Sequence, residues 1–203
     1  MITYKGQVKR TIDIIASICG LMATFPLLIV IATLIRREDG GGVFYRGVRV
    51  GKEGSTFRIY KFRTMVMNAE LIGGPSTAED DPRITKVGKI LRKYKLDELP
   101  QLINVLKGEM SLVGPRPEIP SEVETYSEEE RRILTVKPGI TDWASIAFRN
   151  EGEILAGSDD PHKAYREKIK PEKIRLALKY VDEISFKTDV KIILQTVKAV
   201  LAG

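Results

Sequence analysis

Cysteine and histidine are nearly missing from these 203 residues, with one of each, Cys19 and His162. A single thiol excludes an intramolecular disulfide and a cysteine-based zinc site, and points to a reducing compartment. There is no cysteine and histidine cluster, no glycine-rich nucleotide fingerprint and no internal repeat, so thiolate-metal, dinucleotide-binding and solenoid readings fall away. His162 lies in a polar loop after Asp159-Asp160-Pro161 and is assigned no chemistry. The one tryptophan, Trp143, is read first as a core or membrane-interface residue and second as a stacking platform.

Positive charge and one long apolar run are what the chain does have. Lysine and arginine outnumber aspartate and glutamate by 33 to 27, for a net +6, which suits a nucleic acid, a phosphate-bearing substrate or an anionic membrane. The length suits one catalytic domain. Ile12 to Ile35 is apolar apart from Asp13 and contains Pro26. As a straight helix it reaches about 36 Å, enough to cross a hydrocarbon core of about 30 Å. Proline removes a helical hydrogen bond, so the run can instead divide into arms of roughly 14 and 9 residues, too short to cross singly. Lys5, Lys9 and Arg10 on one flank and Arg36 and Arg37 on the other give the positive-inside rule little asymmetry, which fits a helix that enters and returns to one face. A kinked single span stays open, because membranes tolerate one. A removable signal peptide fits less well, since Arg36-Arg37-Glu38-Asp39 follows the run in place of a small-residue cleavage site.

The chemistry concentrates in Leu91 to Pro117, LRKYKLDELPQLINVLKGEMSLVGPRP. Leu99, Leu102, Ile103 and Leu106 form the apolar stripe of a short helix that Gly108 stops. The spacing predicts that this helix begins at Asp97 as N-cap, with Glu98 and Pro100 in its first turn. Arg92, Lys93 and Lys95 precede the acidic pair and Arg116 follows it between two prolines. A carboxylate held ionised among cations is a competent nucleophile toward phosphorus, and its neighbour a competent ligand for a divalent metal. Spacing alone favours the plainer reading, in which Asp97 only caps and Glu98 only complements the helix dipole.

Val43–Val50 and Thr56–Met65 read as a hairpin turning at Gly51–Ser55, with Phe57 and Ile59 packing; Lys61 and Arg63 on the same face can point toward a site, although the residues alone favour a solvated basic edge strand. Asn68 to Pro82 reads either as a mobile, lid-like loop beside that site or as an inert surface loop, and Thr85 to Lys95 as a basic segment helical after Gly88. Ser121 to Leu134 reads as an acidic helix with Glu122, Glu124 and Glu128 to Glu130 in solvent. Near the C-terminus, Ile174, Ala177, Leu178, Val181 and Ile184 form one stripe. Val190, Ile193, Leu194, Val197, Val200 and Leu201 form another, flanked by Lys187, Lys191 and Lys198, and suited to core or headgroup packing.

LDELPQLINVLKGEMSLVGPRPE, together with DPRITKVGKILRK (Asp81 to Lys93) and YKFRTM (Tyr60 to Met65), resembles the bacterial sugar transferases of the polyprenol-phosphate phosphoglycosyl transferase family, especially its small monotopic members. The likeness runs over nearly the whole chain. It implies an α+β, mostly helical fold: a re-entrant membrane helix in residues 1–38 broken at Pro26, then a cytoplasmic catalytic domain in 39–203 with a short β-hairpin and amphipathic helices at the membrane interface. Phe25-Pro26 stands where such members carry Ser-Pro. The resemblance implies a monotopic enzyme on the cytoplasmic face of the bacterial inner membrane. Asp97 and Glu98 are its implied catalytic pair, Glu98 the ligand of Mg2+, and Lys61, Arg92, Arg116, Arg149 and Asn150 the contacts to phosphate and donor. Val136 to Thr141 matches the family's PGIT turn, whereas Asp142 to Phe148 depart from its commoner GLAQVNG form, so of that region only Arg149 and Asn150 carry over.

The implied reaction moves a phosphosugar from a nucleotide-diphosphate sugar, a UDP-sugar, to undecaprenyl phosphate through an aspartyl-phosphosugar intermediate, releasing UMP. Its partners are the nucleotide sugar, the polyprenol phosphate and membrane lipid, with no nucleic acid; a homodimer stays open. A membrane-anchored, non-catalytic scaffold that binds anionic lipid would explain the charge and the apolar run, but not an acidic pair followed by Arg116. A phosphatase working through an aspartyl phosphate would need no lipid acceptor.

Overall fold

A computed structural model describes residues 4–74 and 76–201. The first three residues of the expected membrane segment, Pro75 in the expected loop and the side chain of Leu201 in the last stripe lie outside the described residues. The fold is mostly helical with three two-stranded sheets, the α+β class expected.

Helix α1 (Lys9–Asp39) is long and apolar enough to cross a membrane. It stays helical through Pro26, so the expected division into two arms at that residue is not what the fold shows. The physical reason lies in its packing. Lys9, Asp13, Ser17, Ile31 and Ile35 are buried along one face, and a break would take one end off the domain. At the N-terminal end Lys9 pairs with Asp189, Arg10 donates to the carbonyls of Val105 and Leu106, and Asp13 Oδ1 accepts from Ser111 Oγ and Leu112 N at 3.1 and 3.0 Å. At the other end Ile31 and Ile35 pack on Phe62 and Leu91, Glu38 accepts from Lys86 N at 2.8 Å, and Asp39 pairs with Arg63. Burying a side chain such as Phe62 contributes about 1.5–3 kcal/mol. The opposite face exposes Ile15, Ile18, Met22, Phe25, Val30 and Leu34. Glu38 and Asp39 are the last helical residues, and Gly40 closes the helix at φ 73°.

Strands β1 (Phe44–Tyr45), β2 (Val48–Val50), β3 (Thr56–Arg58) and β4 (Lys61–Phe62) form the expected hairpin. β2 pairs with β3 and β1 with β4 in one antiparallel register, carried across the gap by Ile59 N to Gly47 O at 3.0 Å. Helix α2 (Lys86–Lys93) starts earlier than expected because Thr85 caps it, its side chain accepting from Gly88 N. Helix α3 (Gln101–Lys107) ends at Gly108, where φ 83° admits glycine without strain. β5 (Ser111–Val113) runs parallel to β6 (Gly139–Thr141). Gly114 and Gly139 approach so closely that a Cβ on Gly139 would lie 2.1 Å from Gly114 N, which joins the segment before Arg116 to the PGIT turn.

The expected acidic helix is instead the short α4 (Pro120–Val123), a break and a 3-10 segment, Glu130–Thr135. Helices α5 (Trp143–Ala147), α6 (Glu151–Leu155), α7 (Pro161–Lys168), α8 (Lys170–Glu183) and α9 (Phe186–Leu201) complete the chain. Trp143 packs in a cluster with Val113, Tyr180 and Ile192. On α9 the buried positions are Asp189 and Ile192, while Phe186 and, of the expected stripe, Val190, Ile193, Leu194 and Val197 face outward.

Candidate active site

Asp97 and Glu98 do not cap a helix. They occupy a 3-10 turn, Leu96–Glu98, that follows Lys95 at φ 56°, and α3 begins only at Gln101 after Pro100. Pro100 has no N–H to offer a cap and its fixed φ suits a helix start. The turn therefore aims both carboxylates away from the helix axis, toward β4 and the segment after β5.

Lys61 enters from β4. Its Nζ lies 2.8 Å from Glu98 Oε1 and 3.6 Å from Asp97 Oδ2. It gets there because Phe57 and Ile59, on the same strand face, are locked against Val105 and Met110. Arg116, held between Pro115 and Pro117 after β5, grips Glu98 with both ends of its fork, Nη2 to Oε1 at 2.6 Å and Nη1 to Oε2 at 3.3 Å. Beneath them Asn104 of α3, fully buried, accepts from Tyr60 N and donates to Arg58 O, fixing strand to helix.

The two carboxylates differ. Burial alone would raise Glu98, but Arg116 and Lys61 together outweigh it and hold Glu98 well below the usual glutamate range. Burial raises Asp97 above its ordinary value, with the charge of Glu98 adding to the effect and Lys61, Arg92 and Lys95 opposing it. Asp97 is 7% exposed, and its Oδ1 has no hydrogen-bond partner among the described residues. The guanidinium of Arg116 is raised, chiefly by the charge of Glu98.

Of the residues expected from the sequence, Lys61 and Arg116 contact the acidic pair directly. Arg92 acts at longer range: burial lowers it, while Asp97, Asp81 and Glu151 pull it upward by their charge. Arg149 joins the site's edge through its carbonyl, which accepts from Lys95 Nζ at 3.1 Å. The amide of Asn150 donates to Glu153 at the start of α6 and makes no hydrogen bond within the cluster. Arg63 does not point into the site as expected, because Asp39 at the end of α1 captures it. Lys93 is exposed beside Tyr94.

Two nearby carboxylates escaped the sequence reading. Glu151, paired with Lys173, is close enough to influence both Arg92 and Arg116. Asp142 is almost fully buried, caps α5 by accepting from Ser145 N at 2.7 Å, and leaves Oδ2 without a partner among the described residues. Aspartate three residues before a serine at a helix start was the available signal for the second; nothing local marked the first.

Among the described residues no group of three or more histidine, cysteine, aspartate and glutamate side chains gathers to bind a metal. The acidic pair still offers hard oxygen donors, the orphaned Asp97 Oδ1 and Glu98 Oε2, which takes only the longer of the two Arg116 bonds. That set fits an ion such as magnesium, which takes one or two carboxylates and fills its sphere from phosphate and water.

The bacterial sugar transferase family pattern matches residues 4–203. The galactosyl transferase CpsE of Streptococcus agalactiae serotype III is 41% identical over 96% of this chain and 42% of its own length. A UDP-N-acetylgalactosamine-undecaprenyl-phosphate N-acetylgalactosaminephosphotransferase of Aeromonas hydrophila is 39% identical over 97% of this chain and 44% of its own. The uncharacterized sugar transferase EpsL of Bacillus subtilis is 40% identical over 96% and 88%. The chain thus spans less than half of the first two relatives and most of the third. With the family pattern matched from the residues before α1 to the end of α9, this chain belongs to the bacterial sugar transferase family.

Proposed function

We propose that the chain is a phosphoglycosyl transferase that moves a phosphosugar from a UDP-sugar to undecaprenyl phosphate. The observation that carries this reading is the asymmetry of the acidic pair: Glu98 is paired with Arg116 and Lys61, chiefly through Oε1, whereas Asp97, beside it, keeps a buried oxygen with no hydrogen-bond partner among the described residues. A desolvated, poorly hydrogen-bonded carboxylate is a better nucleophile than a solvated one, and the cations around it favour attack on a diphosphate.

In the first half, a carboxylate oxygen of Asp97 bonds to the sugar-linked phosphorus, the bond from that phosphorus to the bridging oxygen breaks, and UMP leaves with the electron pair. In the second, a phosphate oxygen of the polyprenol phosphate bonds to the same phosphorus and frees Asp97, giving polyprenyl-diphosphate-sugar. Lys61 and Arg116 stabilise charge on the phosphate oxygens, and Arg92 adds a longer-range positive field. Glu98 is the residue that would hold Mg2+; when bound, the ion offsets diphosphate charge and eases departure of the nucleotide.

Two named relatives support the acceptor: the Aeromonas hydrophila protein above and an undecaprenyl-phosphate galactose phosphotransferase of Salmonella typhimurium, 45% identical over 70% of this chain. The placement we propose is monotopic, on the cytoplasmic face. One domain holds both ends of α1, through Asp189, Val105 and Ser111 at the start and Leu91, Lys86 and Arg63 at the end. A helix crossing a core of about 30 Å would put those ends on opposite sides of the bilayer. A helix lying in one leaflet keeps both, and its exposed apolar face then meets lipid.

The test is nucleotide release by detergent-purified protein given magnesium, undecaprenyl phosphate and a panel of UDP-sugars. Lipid-dependent UMP from one donor, with a phosphosugar adduct on Asp97 seen by intact mass when the acceptor is withheld, supports the reading. Release of UDP, or an adduct persisting in Asp97→Asn, overturns it.

A further inference from the structure

A basic cavity of about 490 Å3 lies where the start of α1 meets the loop before β6 and the end of α8. Lys9, Arg10, Lys52 and Lys137 line it against a single carboxylate, Asp13, and none of these residues belongs to the cluster around Asp97. Two of the four cations are committed: Lys9 pairs with Asp189, and Arg10 donates to the carbonyls at the end of α3. Asp13 Oδ1 is committed too, to Ser111 and Leu112.

The other two cations are available. Among the described residues Lys52 pairs only with the exposed Glu53, at 3.0 Å, a contact that water screens. Lys137 is half-buried and forms no ion pair among the described residues. Burial pushes its ammonium down, and the charges of Arg10 and Lys52 push further in the same direction. Like charges gathered on a concave wall raise each other's energy until an anion arrives. The volume is that of a small-molecule site.

The rest of the lining says which kind of anion. Val181 and Ile184 give the cavity an apolar side. Two residues after Ile184, Phe186 at the start of α9 is exposed beside Tyr4 and continues that apolar side outward. A ligand with a phosphate head and an apolar tail matches both sides.

We propose that this cavity binds the phosphate head of a membrane phospholipid, clamped by Lys52 and Lys137, and that the bound lipid ties the start of α1 to the catalytic domain. Its test uses the full chain in detergent, with dihexanoyl phosphatidylglycerol and, separately, inorganic phosphate as probes of thermal stability. Wild type gains a saturable rise in melting temperature from the lipid and none from phosphate at the same concentration. In the double variant Lys52→Gln/Lys137→Gln the lipid acts about tenfold more weakly, the loss expected when a charged anchor is removed. The exposed single variant Lys52→Gln, which keeps its fold, weakens it about threefold. UMP release stays within about twofold in both variants, because neither lysine belongs to the transfer site. An equal response to phosphate would make this a free-anion site and overturn the lipid assignment. A lipid response unchanged by the substitutions, or absent in wild type, would overturn the site itself.

Discussion

Two buried acidic clusters in this molecule look alike in composition and differ in what is left unpaired. Glu122, 3% exposed, receives Arg166 at 3.1 and 2.7 Å, Lys170 on its second oxygen, and His162 Nε2 at 3.5 Å. Both of its oxygens are used, and the cations bring its pKa down against the effect of burial. His162 in turn meets Ser76 at 3.0 Å, so the cluster joins α4, α7 and α8 to the loop before α2. It is a structural junction. At the acidic pair Glu98 is treated the same way, but Asp97 beside it is raised and has an orphaned oxygen. Glu122, closely paired on both oxygens, holds the fold together, whereas a carboxylate left half-paired is poised to bond to something else.

The sharpest way to break that comparison is Asp97→Asn. Turnover should fall by about 10³-fold or more, as loss of a covalent nucleophile does. Melting temperature should hold or rise by a few degrees, because a buried charge with a missing partner costs stability. UMP release and a thermal melt read both, and an active, less stable variant would erase the distinction. Next comes Arg116→Lys, which replaces a two-pronged fork by a single ammonium. Turnover should drop about 10²-fold with the fold intact, and wild-type rates would show that the bidentate grip on Glu98 is dispensable.

Glu122→Gln should do the reverse. It leaves Arg166 and Lys170 facing a neutral group and should cost about 2–3 kcal/mol, less than a fully enclosed pair because Arg166 is half-exposed. Turnover per folded molecule should stay near wild type. Denaturant melts with rate measurements would decide; lost activity at unchanged stability would move Glu122 into the mechanism.

The smallest effect is in pH. As the proposed nucleophile Asp97 has to be ionised, and its pKa is raised, so activity should fall on acidification above the ordinary aspartate value of 3.8. Glu98 and Glu122 have lowered pKa values, so the stability they contribute is present above 4.5 and lost only as pH falls through their folded values below it. A window should exist in which the protein is folded and inactive. Circular dichroism and UMP release along one pH series would test it, and coincident midpoints would remove it.

Much of this was legible in the chain itself. The hairpin follows from its strand and turn residues, the stop at Gly108 from glycine, and the acidic pair with Lys61 and Arg116 from strings that carry a family resemblance. Local pattern failed where a partner from far along the chain decided the outcome. Asp13, which read only as a flaw in an apolar run, is bound by Ser111 and Leu112, and Glu122, which read as solvent face, is enclosed by α7 and α8. Arg63 shares a strand face with Lys61, yet Asp39 of α1 takes it away from the site.

The sequence by itself determined the residue types and most of the elements: where charge collects, which carboxylates stand next to one another, and which stretches are helical or extended, apart from the broken Ser121–Leu134 segment and the start of α3. Propensity and periodicity act over a few residues, and those features need no more. Tertiary structure decided the rest. It kept α1 helical through Pro26 because one domain packs on both its ends, and it turned Asp97 out of a cap and into a site. It also set the two adjacent carboxylates apart, since desolvation and the approach of Lys61 and Arg116 depend on surroundings that only the assembled fold supplies.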